Sequence, residues 1–95
     1  MEVIWSPLAL EKVRDIAEYI ALDNDIAAKQ WVNDIFDKAE NIGEFPEIGR
    51  LVPELSNKNY REIIFGNYRI IYSVLAEVKI LTVRNCRQLL SSEDI

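Results

Sequence analysis

The chain has 95 residues, which is enough for one domain with a single two-layer core and too few for a second. Its apolar fraction of 49% with only 3 glycines and 3 prolines is typical of globular proteins, and no stretch approaches the roughly 20 apolar residues of a membrane span. Because histidine is absent, a zinc cluster and a serine–histidine–aspartate triad are excluded, and we expect neither a metal nor a cofactor. The single cysteine, Cys86, cannot form an internal disulfide, and no leader pattern is visible, so we expect a soluble cytoplasmic protein.

The charge distribution is uneven along the chain. The formal net charge of −5 argues against a broad attraction to nucleic acid, so we do not expect this chain alone to bind DNA sequence-specifically. Residues 60–90 are the exception, because they carry five basic side chains against two acidic ones.

The first half of the chain predicts a short strand followed by two helices. Val3–Trp5 is an apolar run that fits a strand, and Ser6-Pro7 supplies a helix cap followed by proline at the first helical position. Apolar residues then recur at helical spacing in two stretches separated by residues 23–25; they are Leu10, Val13, Ile16, Ala17 and Ile20, and then Ala28, Trp31, Val32, Ile35, Ala39 and Ile42. With so short a connection, the two helices should form an antiparallel hairpin.

The end of the second helix and the loop after it are marked by glycine and proline. Gly43 is expected to close the helix in the left-handed conformation, and Pro46 prevents the helix from resuming. Residues 45–54 mix such breakers with isolated apolar side chains, which indicates an ordered loop pinned to the core.

The second half predicts a three-stranded antiparallel meander. Tyr60–Phe65 and Tyr68–Val74 are rich in β-branched and aromatic residues and flank a Gly66-Asn67 turn, and residues 78–84 follow after Ala76-Glu77. The fold class is therefore α+β, with an N-terminal strand and an antiparallel helical hairpin packed on a mostly antiparallel sheet.

Two-residue turns would fix the register of this meander and hence its two faces. The predicted pairs are Phe65 with Tyr68, Ile63 with Ile70, Ile70 with Val83 and Tyr72 with Leu81. This face is apolar and should pack against the helices. The opposite, open face would carry Glu62, Ile64, Arg69, Ile71, Ser73, Ile80, Thr82 and Arg84, with Arg69 directly opposite Arg84.

Two interpretations of the open face remain. Like charges opposite one another repel, so either Glu62, diagonal to Arg69, neutralises part of the charge and the arginines are simply solvated, or the face binds a partner. Three isoleucines on a face turned away from the helices favour a partner that alternates apolar and acidic residues. The candidate partner-binding residues are Arg61, Ile64, Arg69, Ile71, Ile80, Arg84 and Arg87.

The element order, residues 61–72 and 80–87, and the Ser6-Pro7-Leu8-Ala9 and residue 45–50 segments together resemble the ParE/RelE family of bacterial toxins. The resemblance covers nearly the whole chain as a single toxin domain, residues 1–95. It implies the toxin of a type II toxin–antitoxin pair of the plasmid stabilisation type, held inactive by a cognate antitoxin.

The two branches of that family imply different mechanisms. RelE-like members cleave mRNA on the ribosome with basic residues of the open face. By position these would here be Arg69 and Arg84 or Arg87, and the base would be Glu62 or a tyrosine. ParE-like members inhibit DNA gyrase. The first strand offers Arg61 and Glu62 where the ribonuclease branch tends to carry lysines, and residues 88–95 contain no tyrosine, histidine or lysine. Arginine is a poor base because its pKa exceeds ~12. We therefore expect a ParE-like gyrase inhibitor that is not an enzyme, with a ribonuclease or an inactive antitoxin-binding remnant as alternatives.

Overall fold

The computed structural model describes residues 1–57 and 59–95. Its elements, in chain order, are β1 (Val3–Trp5), α1 (Pro7–Ala21), α2 (Asp25–Glu44), β2 (Arg50–Leu51), β3 (Tyr60–Phe65), β4 (Tyr68–Val74), β5 (Val78–Asn85) and a C-terminal 3-10 helix (Ser92–Asp94). In the part of the chain described, no helix combines the length and the apolarity that crossing a membrane would require.

One five-stranded sheet, in the order β1-β5-β4-β3-β2, carries the helical hairpin on one of its faces. The strand β1 runs parallel to β5, and all other neighbouring pairs are antiparallel. The predicted α+β class, the helical hairpin and the three-stranded meander are confirmed.

The start of α1 is built as the sequence predicts and also ties the helix to the sheet. The Ser6 hydroxyl accepts a hydrogen bond from the Ala9 N–H at 3.0 Å and donates one to the Leu81 carbonyl at 2.8 Å. The Ser6 N–H donates to the Ile80 carbonyl at 2.9 Å. One residue therefore caps the helix and bonds two consecutive carbonyls of β5.

Gly43 does not close α2, because the helix continues through Glu44. Among the described residues, Gly66 is the one glycine with a positive φ, of 61°, so the left-handed closure predicted at Gly43 is wrong. A Cβ on Gly43 would lie 2.6 Å from the Val3 Cγ2 and 2.9 Å from the Met1 carbonyl oxygen. The absence of a side chain thus lets β1 pass close to the helix.

The main core lies between the helices and the sheet. Its buried members come from both layers and include Val13, Ile35, Ala39, Ile42, Ile70, Tyr72, Val78, Ile80 and Val83. Trp31 packs at the edge of this core, with its ring centroid 5.6 Å from that of Tyr68 and 6.2 Å from that of Phe65. Trp5 also packs against this core.

The register of the meander agrees with the prediction at one end and departs from it at the other. Phe65 faces Tyr68, Ile63 faces Ile70, Ile70 faces Val83 and Arg69 faces Arg84. Tyr72, however, faces Ile80 and not Leu81, because β4 and β5 are joined by three residues, 75–77, and a β-bulge follows beside Ile71 and Tyr72.

Because of the longer loop and the bulge, Ile80 and Leu81 each lie on the face opposite to the predicted one. Ile80 is completely buried under the helices, and Leu81 packs on the other face. The placement of Ile80 on the open face was therefore wrong. The extra loop residue shifts the register by one, and the bulge restores it before Arg84.

Candidate functional site

The face of the sheet opposite the helices is covered by the chain itself. Val52, Ile71 and Leu90 form a second buried cluster there, and Leu55, Tyr60, Leu81 and Ile95 pack against it. Ile71 has no exposed surface, so its predicted exposure was wrong; Ile64 is 50% exposed. The physical reason is that the loop after β2 and the segment after β5, residues 88–95, which we call the tail, fold back over the sheet.

Arg69 lies under this cover, and its guanidinium is fully engaged. Its side chain is 6% exposed. Its Nε donates to Glu62 Oε1 at 2.6 Å, and its Nη1 and Nη2 donate to the two Glu54 carboxylate oxygens at 2.7 and 2.8 Å. Nη1 also donates to the Gln88 carbonyl at 3.1 Å. This bidentate geometry is the strong form of an arginine–carboxylate pair.

Glu62 is the buried centre of the same network. It is 1% exposed, and its Oε2 accepts hydrogen bonds from Arg50, whose Nε lies at 2.6 Å. The Arg50 side chain is 65% exposed and closes the network towards solvent. Two arginines therefore compensate one buried carboxylate, as a buried charge requires.

The hydrogen bonds of this network shift the pKa values of its outer members. The bond from Arg69 lowers the pKa of Glu54 to about 2, against the opposing effect of burial. The bond to Glu54 is in turn the main cause that raises the pKa of Arg69. Both groups remain charged over the physiological pH range.

The network also holds the tail in place. The Leu90 N–H donates to Glu54 Oε2 at 3.0 Å, and the Gln88 carbonyl accepts from Arg69. Glu54 thus joins the loop after β2, the sheet and the tail. Sequence reasoning missed its role, and the available signal was an acidic residue beside Pro53 in a loop expected to lie on the core.

Arg84 is the second arginine of the predicted face, and it is also paired within the chain. Its Nη1 lies 3.2 Å from Asp94 Oδ1, and the Arg84 side chain is 19% exposed. A hydrogen bond from the Ser91 N–H is the main cause that lowers the pKa of Asp94, and the charge of Arg84 contributes. Within the described residues, the buried Arg84 Nε has no partner.

The two remaining candidate arginines, Arg87 and Arg61, differ in their exposure and contacts. Arg87 is exposed beyond β5. Arg61 is half-buried, and its Nη1 donates to the Gly49 carbonyl at 2.7 Å, which holds the loop before β2. The structure therefore brings Arg69, Arg84 and Glu62 to one face, as predicted. It places Ile80 on the other face.

This arrangement has a clear chemical consequence. A guanidinium that recognises a scissile phosphate must offer free donors, and the Arg69 donors are directed at Glu54, Glu62 and Gln88. A general base must reach the proton that it removes, and Glu62 is buried and bonded to two arginines. The described conformation holds these groups as a structural ion network.

Comparison with known proteins identifies the family. The family model described as "ParE toxin of type II toxin-antitoxin system, parDE" matches residues 3–90. The chain belongs to this ParE toxin family. A solved structure titled "Chromosomal ParDE TA system from P. aeruginosa" matches with a TM-score of 0.74 at 18% identity, over 90% of this chain and 95% of that chain. No curated protein sequence matches the chain significantly.

These findings bear directly on the sequence predictions. The structural match shows a ParE-like fold, and the family match confirms the predicted ParE branch. Because the family is defined by type II toxin–antitoxin systems, membership implies an antitoxin partner for this chain.

Proposed function

We propose that this ParE-family chain inhibits DNA gyrase when it is free and that a cognate antitoxin neutralises it by binding. We choose gyrase over the ribosome as the target because of the burial and pairing of Arg69. Its guanidinium, which a ribonuclease of the RelE type would need for the phosphate, is 6% exposed and bound by two carboxylates. A toxin whose Arg69 and Glu62 are both held in this network is better suited to act by binding its target.

The charge of the chain supports the same choice. Ribosomal RNA attracts proteins with an excess of basic residues, and this chain has 16 acidic against 11 basic residues. The local excess of arginine in the meander is offset in the fold by Glu54 and Asp94, which lie outside the strands. A protein target is therefore favoured over an RNA target.

The antitoxin is proposed to contact the accessible part of the sheet face and its border. Ile64 is 50% exposed, and Arg84 and Arg87 each present some charged surface. Arg61 alternates with Glu62 along β3 and is directed at the Gly49 carbonyl on the other face, so the proposal does not use it as a contact. Such a surface suits a segment that carries apolar and acidic side chains. Arg69 and Ile71 lie beneath the tail and Ile80 beneath the helices, so the proposal does not use them as contacts.

Expression of the chain without its antitoxin tests the target in cells. We expect growth arrest together with induction of a DNA-damage reporter, because a blocked gyrase leaves broken or overwound DNA. Primer extension on translated messages should show no new 5′ ends. Induction of new ends without the DNA-damage response would favour the ribonuclease alternative.

Co-expression of the antitoxin completes the test. Growth should recover, and the two proteins should co-purify. If the chain binds the antitoxin but never arrests growth, it is an antitoxin-binding remnant and the gyrase proposal fails.

A further inference from the structure

An exposed apolar surface lies where the C-terminal end of α2 meets the end of β4. Phe45 is 59% exposed and Ile48 is 48% exposed. A cleft of about 680 Å³ is lined by Met1, Glu44, Phe45, Pro46, Glu47, Ile48 and Val74. We call this cleft with its apolar border the Phe45 surface.

The loop that presents Phe45 and Ile48 is held by buried hydrogen bonds. The hydroxyl of Tyr72, a residue with no exposed surface, donates to the Pro46 carbonyl at 2.9 Å and accepts from the Gly49 N–H at 2.9 Å. Burial raises the pKa of Tyr72, so this hydroxyl keeps its proton. The Ile48 N–H also donates to the Phe45 carbonyl at 2.9 Å.

Rigid presentation distinguishes these side chains from scattered surface apolar residues. Phe45 and Ile48 remain largely in solvent on a loop that is fixed from below, so they contribute little to the core. Exposed apolar side chains that are grouped and held rigidly are favourable positions for an interaction site. A fixed loop also loses less conformational freedom on binding, which favours affinity.

The charges around the Phe45 surface determine the kind of partner. The Glu44 and Glu47 side chains are the charged side chains among its lining residues. The surface also lies at the C-terminal end of α2, where the helix dipole is negative and the last turn has no basic residue. Two positive groups beside this surface are directed at backbone carbonyls: the Met1 amino group at Gly43, and the Arg61 guanidinium at Gly49 and Glu47.

We infer that the Phe45 surface docks a protein segment in which a large apolar side chain is flanked by lysine or arginine. The apolar side chain would enter the cleft beside Phe45 and Ile48, and the cations would pair with Glu44 and Glu47. Two carboxylates and a helix C-terminus would repel nucleic acid and anionic lipid.

This surface is separate from the one proposed for the antitoxin. Val74 ends β4, whereas Arg69, opposite Arg84, lies five residues earlier on the same strand, a distance of about 17 Å at roughly 3.3 Å per residue. A basic apolar segment and an acidic one could therefore occupy the chain together. The inference rests on neither gyrase nor the antitoxin.

The test is a nuclear magnetic resonance titration of the full chain, labelled with nitrogen-15, with two short synthetic peptides. One peptide carries leucines flanked by lysines, and the other has glutamate in place of each lysine. We expect saturable amide shifts confined to residues 2–3, 44–48 and 74–75 with the lysine peptide, and about tenfold weaker binding or none with the glutamate peptide. Shifts mapped elsewhere, no saturable shift, or equal binding of both peptides would overturn the inference.

Matched variants distinguish binding at the Phe45 surface from non-specific binding of the peptide. Phe45→Ser should weaken the lysine peptide about tenfold, because a central aromatic contact dominates such interfaces. Leu22→Ser, at a position 86% exposed in the helix connection, should leave the affinity unchanged. Glu44→Gln with Glu47→Gln should remove most of the salt dependence. An unchanged urea midpoint for each variant establishes that folding is intact, and unchanged affinity of Phe45→Ser would contradict the inference.

Discussion

Replacement of Arg69 by methionine tests whether the ion network is structural. Methionine retains much of the apolar stem but removes all five donors, which leaves the 1% exposed Glu62 paired with Arg50 alone. Breaking a buried pair by removing one partner costs about 3–5 kcal/mol. Because Arg50 still compensates Glu62, we expect the lower end, a loss of about 3 kcal/mol in the free energy of unfolding.

Urea unfolding, followed by far-ultraviolet circular dichroism, measures this loss. The matched control is Arg84→Met, since Arg84 faces Arg69 across the same two strands but pairs with a single, partly exposed carboxylate, Asp94. We expect that control to lose about 1 kcal/mol or less. The double variant Arg69→Met with Glu62→Leu should regain stability relative to Arg69→Met, because the unpaired buried carboxylate is gone. Equal losses for Arg69→Met and Arg84→Met would refute the assignment of a buried structural network.

Three further predictions concern the loop and the network. Tyr72→Phe should lower the free energy of unfolding by about 1–3 kcal/mol in urea, because the buried Gly49 N–H loses its acceptor; an unchanged midpoint would contradict this. Gly49→Ala should destabilise the fold more than Ala76→Gly, which lies in the exposed loop after β4. A Cβ at position 49 would lie 2.5 Å from the Glu62 carbonyl oxygen and 2.6 Å from the Tyr72 hydroxyl. Equal thermal midpoints of the two variants would contradict this close approach. The pKa of Glu54 is lowered from 4.5 to about 2, so its contribution to stability is present above pH 4.5 and is lost as the pH falls towards 2. Glu54→Gln should therefore flatten the dependence of the urea midpoint on pH within that window, and an equally steep dependence in both proteins would contradict it.

The secondary structure was predictable because its signals are local. The Ser6-Pro7 start, the apolar stripes of both helices and the Gly66 turn act over a few residues and are confirmed. The role of Gly43 was predicted wrongly, because a glycine near the end of a helix can either close the helix in the left-handed conformation or allow a neighbouring element to pack closely. Its close approach to Val3 depends on packing that the sequence does not show.

The register of β5 shows how a prediction can be correct at one position and wrong at another. Ile80 and Leu81 are both large and apolar. The alternation of apolar and polar residues along β5 therefore could not show which of the two faces the helices, or that a bulge is present. The longer loop and the bulge compensate each other, which is why Arg69 and Arg84 still face one another as predicted.

The candidate site was only partly predictable because its charges are balanced from outside the strands. The repulsion between Arg69 and Arg84 was interpreted as a sign of a partner, yet Glu54 and Asp94 neutralise them within the chain. Glu54 is 15 residues from Arg69 along the sequence, and its position depends on the folded loop. The diagonal pairing of Glu62 with Arg69, in contrast, followed from the strand pattern and is present.

The most direct measurement of the central claim is supercoiling of relaxed plasmid by purified DNA gyrase with increasing amounts of this chain. We expect inhibition that saturates with the chain, is relieved by the antitoxin and persists in Arg84→Met. Supercoiling that stays unchanged at every concentration of the folded chain would contradict the proposal that this ParE-family protein acts on gyrase.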